Sequence, residues 1–195
     1  TENNTLILKL IKTGNRNEDY FIEAIEYQKK LHCDFPNNIT SIYNQNNMSL
    51  HGYFKGMYFV IFEYIDGVQP NIFTKKMVNE VENLIEKIKN GKKLFKSRVT
   101  HSFCDTIIYP LQIIINDPYL PIKSRAHWAN IHDVFVENKK SIISRLFPQK
   151  MFMTHADISY KNIIWRNNIP VLIDFDDCAN TFGNIDYGFY CDLKN

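Results

Sequence analysis

Two strand-length apolar runs near the end of the chain, Ile163-Ile164-Trp165 and Val171-Leu172-Ile173, are separated only by Arg166 to Pro170. Runs this close can pair only as a hairpin, with Arg166 to Pro170 as its turn. A hairpin brings the residue before its first strand and the residue after its second to the same end. Those residues are Asn162 and Asp174. Immediately upstream stands His155-Ala156-Asp157-Ile158-Ser159-Tyr160-Lys161, and Asp174 opens the run Asp174-Phe175-Asp176-Asp177.

The pattern is therefore H-x-D-x-x-x-x-N, then a hairpin, then an aspartate twelve residues after the asparagine. Phosphoryl transfer from ATP requires such a set. The triphosphate is highly charged, so Mg2+ must bridge its oxygens, and a hard cation takes oxygen ligands. The Asn162 amide oxygen and the Asp174 carboxylate supply them at the ends of adjacent strands. Asp157 is left off the metal to orient an attacking hydroxyl and accept its proton. The five-residue step from Asp157 to Asn162 is expected to separate base and metal ligand by the reach of a phosphoryl group. Singly, each residue has a plain structural reading: Asp157 a loop cap, Asn162 a turn residue, and His155 a packing group that braces the loop. Their order and spacing are what carry the chemistry.

Earlier segments suit an α+β arrangement, strands first and helices second. Leu6-Ile7-Leu8-Lys9-Leu10-Ile11 is a strand with a lysine at its middle, and Asn17 to His32 has helical periodicity ended by Pro36. Ile39 to Tyr43 and Leu50 to Phe54 read as strands. Lys55-Gly56 reads as a hairpin turn into Tyr58 to Tyr64. Asp66-Gly67 and Pro70 mark a boundary, dividing the chain into residues 1–66 and 67–195. Thr74 to Asn90 is the clearest helix, with Met77, Val81, Leu84, Ile85 and Ile88 on one face and Gly91 at its cap. A second long helix is expected from about Ser124 to Leu146, stopped by Pro148.

Composition narrows the partners. A length of 195 residues suffices for one core or for two small lobes sharing a cleft. With 23 basic and 21 acidic residues, the net charge of +2 is too small for reading phosphates by bulk charge, so a nucleic-acid partner is not expected. Cys33, Cys104, Cys178 and Cys191 form no C-x-x-C pair and suit reduced thiols. The longest apolar run, Met57 to Phe62, falls far short of the roughly 20 residues of a membrane span. With no basic-then-apolar leader, the chain reads as cytoplasmic.

The segment from Met153 to Tyr190 resembles the signature region of the aminoglycoside phosphotransferase/choline kinase superfamily, whose fold is a relative of the protein kinase fold. The wording Ile173-Asp174-Phe175-Asp176-Asp177 is most similar to the branch holding spectinomycin, homoserine and stress-response kinases. The resemblance implies two lobes, a small strand-rich N-lobe and a helical C-lobe. It implies Asp157 as catalytic base, Asn162 and Asp174 as Mg2+ ligands, and Asp186 as a buttress of the catalytic loop. Lys9 then resembles the lysine that grips the α- and β-phosphates, paired with Glu23 or Glu26. Glu23 is preferred because it lies nearer the face of Tyr20, Tyr27 and Leu31. Glu63, Tyr64 and Ile65 resemble the inter-lobe hinge whose backbone binds adenine. Asp176 and Asp177 remain open as a second metal ligand or as attraction for a cationic acceptor. The kinase fold normally begins with two strands joined by a phosphate-covering loop, and its C-lobe runs on well past the position of Asn195. The chain is accordingly expected to be a piece of a longer kinase.

Three rivals are weaker. Val171 to Asp176 resembles the start of a haloacid-dehalogenase-type phosphatase, but that fold needs a long α/β chain after the motif. A silent kinase-like binding protein usually loses the base or a metal ligand, and Asp157, Asn162 and Asp174 are all present. A Ser/Thr protein kinase commonly has lysine two residues past the catalytic aspartate, where this chain has Ser159. The acceptor expected is therefore a hydroxyl on a small molecule.

Overall fold

The division between strand-rich opening and helical continuation is realised in a computed structural model, which describes residues 5–12, 18–45, 48–49, 51–70, 72–89, 95–98, 100–146, 151–182 and 186. The first part holds β1 (Leu6–Lys12), α1 (Glu18–Asp34), the short strands β2 (Asn44–Gln45) and β3 (Met48–Ser49), β4 (His51–Phe54) and β5 (Met57–Glu63). After α2 (Lys75–Ile88), a π-helical turn (Cys104–Ile108) runs into α3 (Tyr109–Ile115), followed by α4 (Ile122–Glu137) and α5 (Lys139–Leu146). The chain then forms β6 (Met151–Thr154), a 3-10 turn (Tyr160–Asn162), β7 (Ile163–Arg166), β8 (Ile169–Leu172) and β9 (Ala179–Phe182).

β5 is the central strand of an antiparallel sheet ordered β1-β5-β4, in which Lys9 stands opposite Val60. Lys55 and Gly56 turn β4 into β5 with φ of 47° and 81°, both left-handed, as a tight hairpin turn requires. The β7–β8 hairpin is made the same way by Asn167 and Asn168, at φ 53° and 63°. Asparagine tolerates that conformation, so the turn is tighter than the expected Arg166–Pro170. Pro170 instead sits inside β8 opposite Trp165, tolerable in a two-stranded sheet where one side of each strand needs no ladder bond.

α1 buries two faces. Phe21 and Ile25 pack with Ile42, Tyr58 and Val60 under the sheet. Ala24, Tyr27 and Leu31 join a larger core built from Val81, Leu84, Ile85 and Ile88 of α2 with Ile158, Ile163, Leu172 and Phe175. Each large apolar side chain removed from water contributes roughly 1.5–3 kcal/mol, so α1 ties the sheet to the hairpin. α2 begins one residue later than its cap, Thr74, whose side chain accepts from the Met77 N–H at 3.3 Å. Gly91, its expected C-terminal cap, lies outside the described residues, as does Pro148.

Two expectations fail. Ile39 to Tyr43 is not a strand of any sheet but an extended segment bonded on both sides. Thr40 N–H donates to Leu172 O (3.1 Å) and Leu172 N–H to Asn38 O (2.8 Å), while Tyr43 N–H donates to Ile61 O (2.8 Å) and Glu63 N–H to Ser41 O (3.2 Å). The long helix expected from Ser124 to Leu146 is two, broken at Asn138. The Asn138 main-chain N–H and side-chain amide both donate to Val134 O, at 3.1 and 2.8 Å, where α4 ends. Among the described residues, no helix is long and apolar enough to cross a membrane.

Cys178 is fully buried, and burial pushes its thiol up to about 12. Cys33 is exposed. At pH 8 an alkylating reagent is expected to label Cys33 in the native protein and Cys178 only after unfolding, as read by peptide mass spectrometry. Native labelling of Cys178 would show that this part of the core opens readily.

Candidate functional site

The loop between β6 and β7 carries the first set of polar residues. Its entry is strained: Ala156 has φ 62°, a left-handed conformation that costs a non-glycine residue about 1–2 kcal/mol. The Asp186 carboxylate offsets this by accepting from Ala156 N–H at 2.7 Å and His155 N–H at 3.3 Å. Asp186 is fully buried, and burial raises its pKa although the two N–H groups and His155 favour the carboxylate. His155, also fully buried, packs its ring on Phe175 with centroids 4.5 Å apart. Its Nε2 is 2.9 Å from Ile173 O, and its Nδ1 lies 3.3 Å from the Asp157 N–H. The tautomer with hydrogen on Nε2 makes both bonds. His155 thus braces the loop against the end of the hairpin.

The 3-10 turn delivers Asn162 to the mouth of that hairpin, where Ile173 N–H donates to Asn162 O at 3.0 Å. Asn162 Nδ2 donates to Asp157 O at 3.0 Å and to Asp157 Oδ2 at 2.7 Å. The expected separation of Asp157 from Asn162 is therefore corrected: the two side chains are in direct contact. The 3-10 turn folds the intervening residues back, closing the five-residue step. Both amide hydrogens being spent on Asp157, the Asn162 oxygen is the group left to face a ligand.

β8 ends at Leu172, and two residues later Asp174 takes φ 63°. That turn aims its carboxylate back across to β1. Lys9 Nζ lies 2.7 Å from Asp174 Oδ1 and 2.9 Å from Asp176 Oδ2. Burial lowers the Lys9 pKa, but the hydrogen bonds and charges of both aspartates outweigh it and raise it overall. For Asp174, burial acts upward, but the Lys9 ammonium, the Asp176 N–H and His155 together outweigh it, so the carboxyl titrates below its ordinary value.

Lys9 and Asp174 stand at one wall of a cleft of about 250 Å³ that is also lined by Ile7, Glu63, Tyr64, Ile65, Ile164 and Ile173. The three hinge residues thus meet Lys9 and Asp174 in one cleft, but they are not equally free. Glu63 N–H is bonded to Ser41 O, and Tyr64 N–H donates to Thr5 O at 3.1 Å. Of the three N–H groups, only that of Ile65 has no main-chain partner among the described residues. Just beyond, Gly67 is required by close approach. A Cβ there would lie 2.5 Å from Ile164 Cγ2 and 2.7 Å from Trp165 O.

Glu23 is not brought to Lys9. Phe21 and Ile25 take the face of α1 toward the sheet, and Glu23 is about 200° around the helix from each. Its carboxylate accepts instead from Lys96 N–H (2.7 Å) and Ser97 N–H (2.9 Å). Glu26 pairs with Lys29. Sequence reasoning also passed over Arg98, buried beside the Asp174–Cys178 loop. The only signal for it was an arginine closing a stretch that contains Phe95.

Among the described residues, no group of three or more His, Cys, Asp or Glu could hold a metal. The donors that do converge are the carboxylates of Asp174 and Asp176, which share the Lys9 ammonium, and the main chain of Asn162 is bonded to Ile173, next to Asp174. An all-oxygen set of this kind fits a hard divalent cation such as Mg2+ and does not fit zinc.

The sequence matches no protein-family model and no curated protein. Its fold, however, is similar to solved structures. The microcompartment-associated aminopropanol kinase superposes with a TM-score of 0.73 at 14% identity, over 97% of this chain and 63% of that one. The amicoumacin kinase hAmiN, solved with AMP-PNP and Ca2+, gives 0.63 at 13% identity, over 95% and 56%. Choline kinase LicA from Streptococcus pneumoniae gives 0.62 at 15%, over 99% and 63%. The chain has the kinase-like fold of these small-molecule kinases and spans 56 to 63% of their lengths.

Proposed function

We propose that this chain carries the nucleotide and metal site of a phosphotransferase that moves the γ-phosphoryl group of ATP to a hydroxyl of a small molecule. The observation that supports this most is the pairing of Lys9 with Asp174 in a cleft walled by Glu63, Tyr64 and Ile65, with Asn162, the partner of Asp157, bonded through its carbonyl to Ile173 next to Asp174. The kinase-like fold supports the same reading. The division into residues 1–66 and 67–195 then corresponds to an N-lobe and a C-lobe with the nucleotide between them.

In this reading the adenine lies in the apolar cleft, with Ile164 and Ile173 against its face and the Ile65 N–H as its main-chain donor. Glu63 and Tyr64 contribute walls. Lys9, held at the rim by its own sheet, turns its ammonium toward the phosphates. Asp174, Asn162 and, as a further ligand, Asp176 would hold Mg2+, which when bound neutralises charge on the phosphate oxygens. Asp157 orients the attacking hydroxyl and accepts its proton. The Asn162 amide keeps the Asp157 carboxylate pointed at that hydroxyl, and Asp186 and His155 hold the loop in its strained shape. These contributions are positional and electrostatic, as the chemistry of phosphoryl transfer requires.

The acceptor is a small hydroxylated metabolite or antibiotic, and an amino group on it would suit the aspartates beside the metal. Ser159, where Ser/Thr protein kinases usually have lysine, sets the chain apart from protein kinases. A panel of aminoglycosides, spectinomycin, choline, ethanolamine, homoserine and sugars, screened with full-length protein for ATP consumption, tests this. Phosphorylation of proteins with no small molecule accepted would sink it.

Lys9→Ala is expected to weaken nucleotide binding by about 10- to 100-fold, the worth of a hydrogen bond to a charged group at roughly 1.5–3 kcal/mol. The fold should persist, because Lys9 stands on edge strand β1 with its neighbours Leu8 and Leu10 exposed. Nucleotide titration alongside a thermal melt is the check. Normal affinity would remove Lys9 from the site, and loss of folding would make it structural.

A further inference from the structure

Arg98 closes the basic stretch Lys92-Lys93-Leu94-Phe95-Lys96-Ser97. It is nevertheless only 5% exposed. All four hydrogen bonds that its guanidinium makes among the described residues end on main-chain carbonyls. Nε and Nη2 donate to Tyr20 O at 3.2 and 2.9 Å, and Nη1 donates to Asp176 O at 2.6 Å and Cys178 O at 2.7 Å. One face of the guanidinium lies 3.9 Å from the centre of the Tyr20 ring. A buried cation held by carbonyls alone is costly to desolvate, and packing a core does not need one.

What the guanidinium joins explains its place. Tyr20 belongs to α1, and Asp176 and Cys178 belong to the loop that presents the Asp174 and Asp176 carboxylates. The backbone leading to Arg98 is fixed from both sides. Glu23, one turn beyond Tyr20 on α1, accepts from two successive N–H groups at Lys96 and Ser97. The buried Asn180 of β9 binds both Phe95 N–H (2.8 Å) and Phe95 O (2.9 Å). Asp176 is therefore held twice, by its carboxylate on Lys9 and by its carbonyl on Arg98. The planar fork reaches two carbonyls on one side and a third on the other, which a lysine ammonium cannot do.

Resting on the metal site proposed above, we propose that Arg98 is a positioning residue: with Glu23 it fixes the Asp174–Asp176 carboxylates relative to α1, and so sets metal affinity without touching metal or nucleotide. In this chain α1 is coupled to the metal loop through residues 96–98 in place of a direct lysine–glutamate ion pair.

The test uses full-length protein with Mn2+ as the probe, titrated by electron paramagnetic resonance in the presence of a non-hydrolysable ATP analogue, with a thermal melt of each variant. Arg98→Lys keeps the charge and removes the fork, and should weaken Mn2+ binding about tenfold. Glu23→Ala should weaken it in the same direction by less, and it carries the test if Arg98→Lys does not fold. Val81→Ala, a core change in α2, controls for general destabilisation and should leave Mn2+ affinity near wild type. Wild-type affinity in the folded Arg98 and Glu23 variants, or equal weakening in Val81→Ala, overturns the positioning role. Asp174→Asn tests the site itself: if it binds Mn2+ as wild type does, the metal assignment fails and this inference with it. If it alone loses binding, the metal site stands and the role of Arg98 falls.

Discussion

Asp157→Asn is expected to reduce phosphoryl transfer by about 10²- to 10⁴-fold, the usual worth of a positioned general base, while ATP affinity stays close to wild type. The geometry supports this separation. Asp157 Oδ2 accepts from the Asn162 amide, and an asparagine at 157 can still present a carbonyl oxygen to that amide, so the loop keeps its shape. What it cannot do is take a proton. Steady-state rates with an accepted substrate, set beside nucleotide titration, distinguish the two effects. Turnover at the wild-type level would show that another group deprotonates the hydroxyl. Parallel loss of affinity and rate would assign Asp157 to nucleotide binding.

The second large effect is expected at Asp174. Asp174→Asn should weaken metal-dependent nucleotide binding by about 100-fold or more, since losing even an outer partner of a metal ligand typically costs 10- to 100-fold. Backbone strain does not confuse this substitution. Asp174 has φ 63°, and asparagine occupies that region as readily as aspartate. The Lys9 ammonium also keeps Asp176 as a partner, so the loop should stay anchored. Calorimetry of the non-hydrolysable analogue with and without Mg2+ reads the change. A magnesium response equal to wild type would move the metal to another ligand, with Asp176 first in line.

Much of this arrangement was legible because it is local. The β7–β8 hairpin follows from two apolar runs with a short turn, and it alone brings Asn162 beside the strand that leads to Asp174. The short apolar run around Lys9 showed a strand, and the one-faced periodicity of α2 showed a helix. What the sequence concealed depends on partners far along the chain. Helix face favours Glu23 over Glu26 as the partner of Lys9, but a face does not say which of two packed neighbours it meets, and α1 is packed on both sides. The hinge was read as backbone open to a ligand, yet two of its three N–H groups are spent on Ser41 and Thr5. The π-helical turn with α3, and the strand β9, were not anticipated. α3 takes Pro110 in its first turn, and β9 is only four residues long, defined by its pairing with β6. Arg98 was hidden for a simpler reason: a basic run looks solvated until its last member is found to have turned inward.

Among the described residues, main chain stitches the sheet to the β7–β8 hairpin in two places. One is the extended segment around Ile39 to Tyr43, bonded to β8 by one end and β5 by the other. The second is Val68, whose N–H and carbonyl exchange bonds with Trp165 at 3.0 and 2.8 Å. The amide hydrogens of Thr40, Leu172, Val68 and Trp165 all lie in these bonds, so they exchange with solvent only when a stitch comes apart, and their exchange reports the opening of this junction.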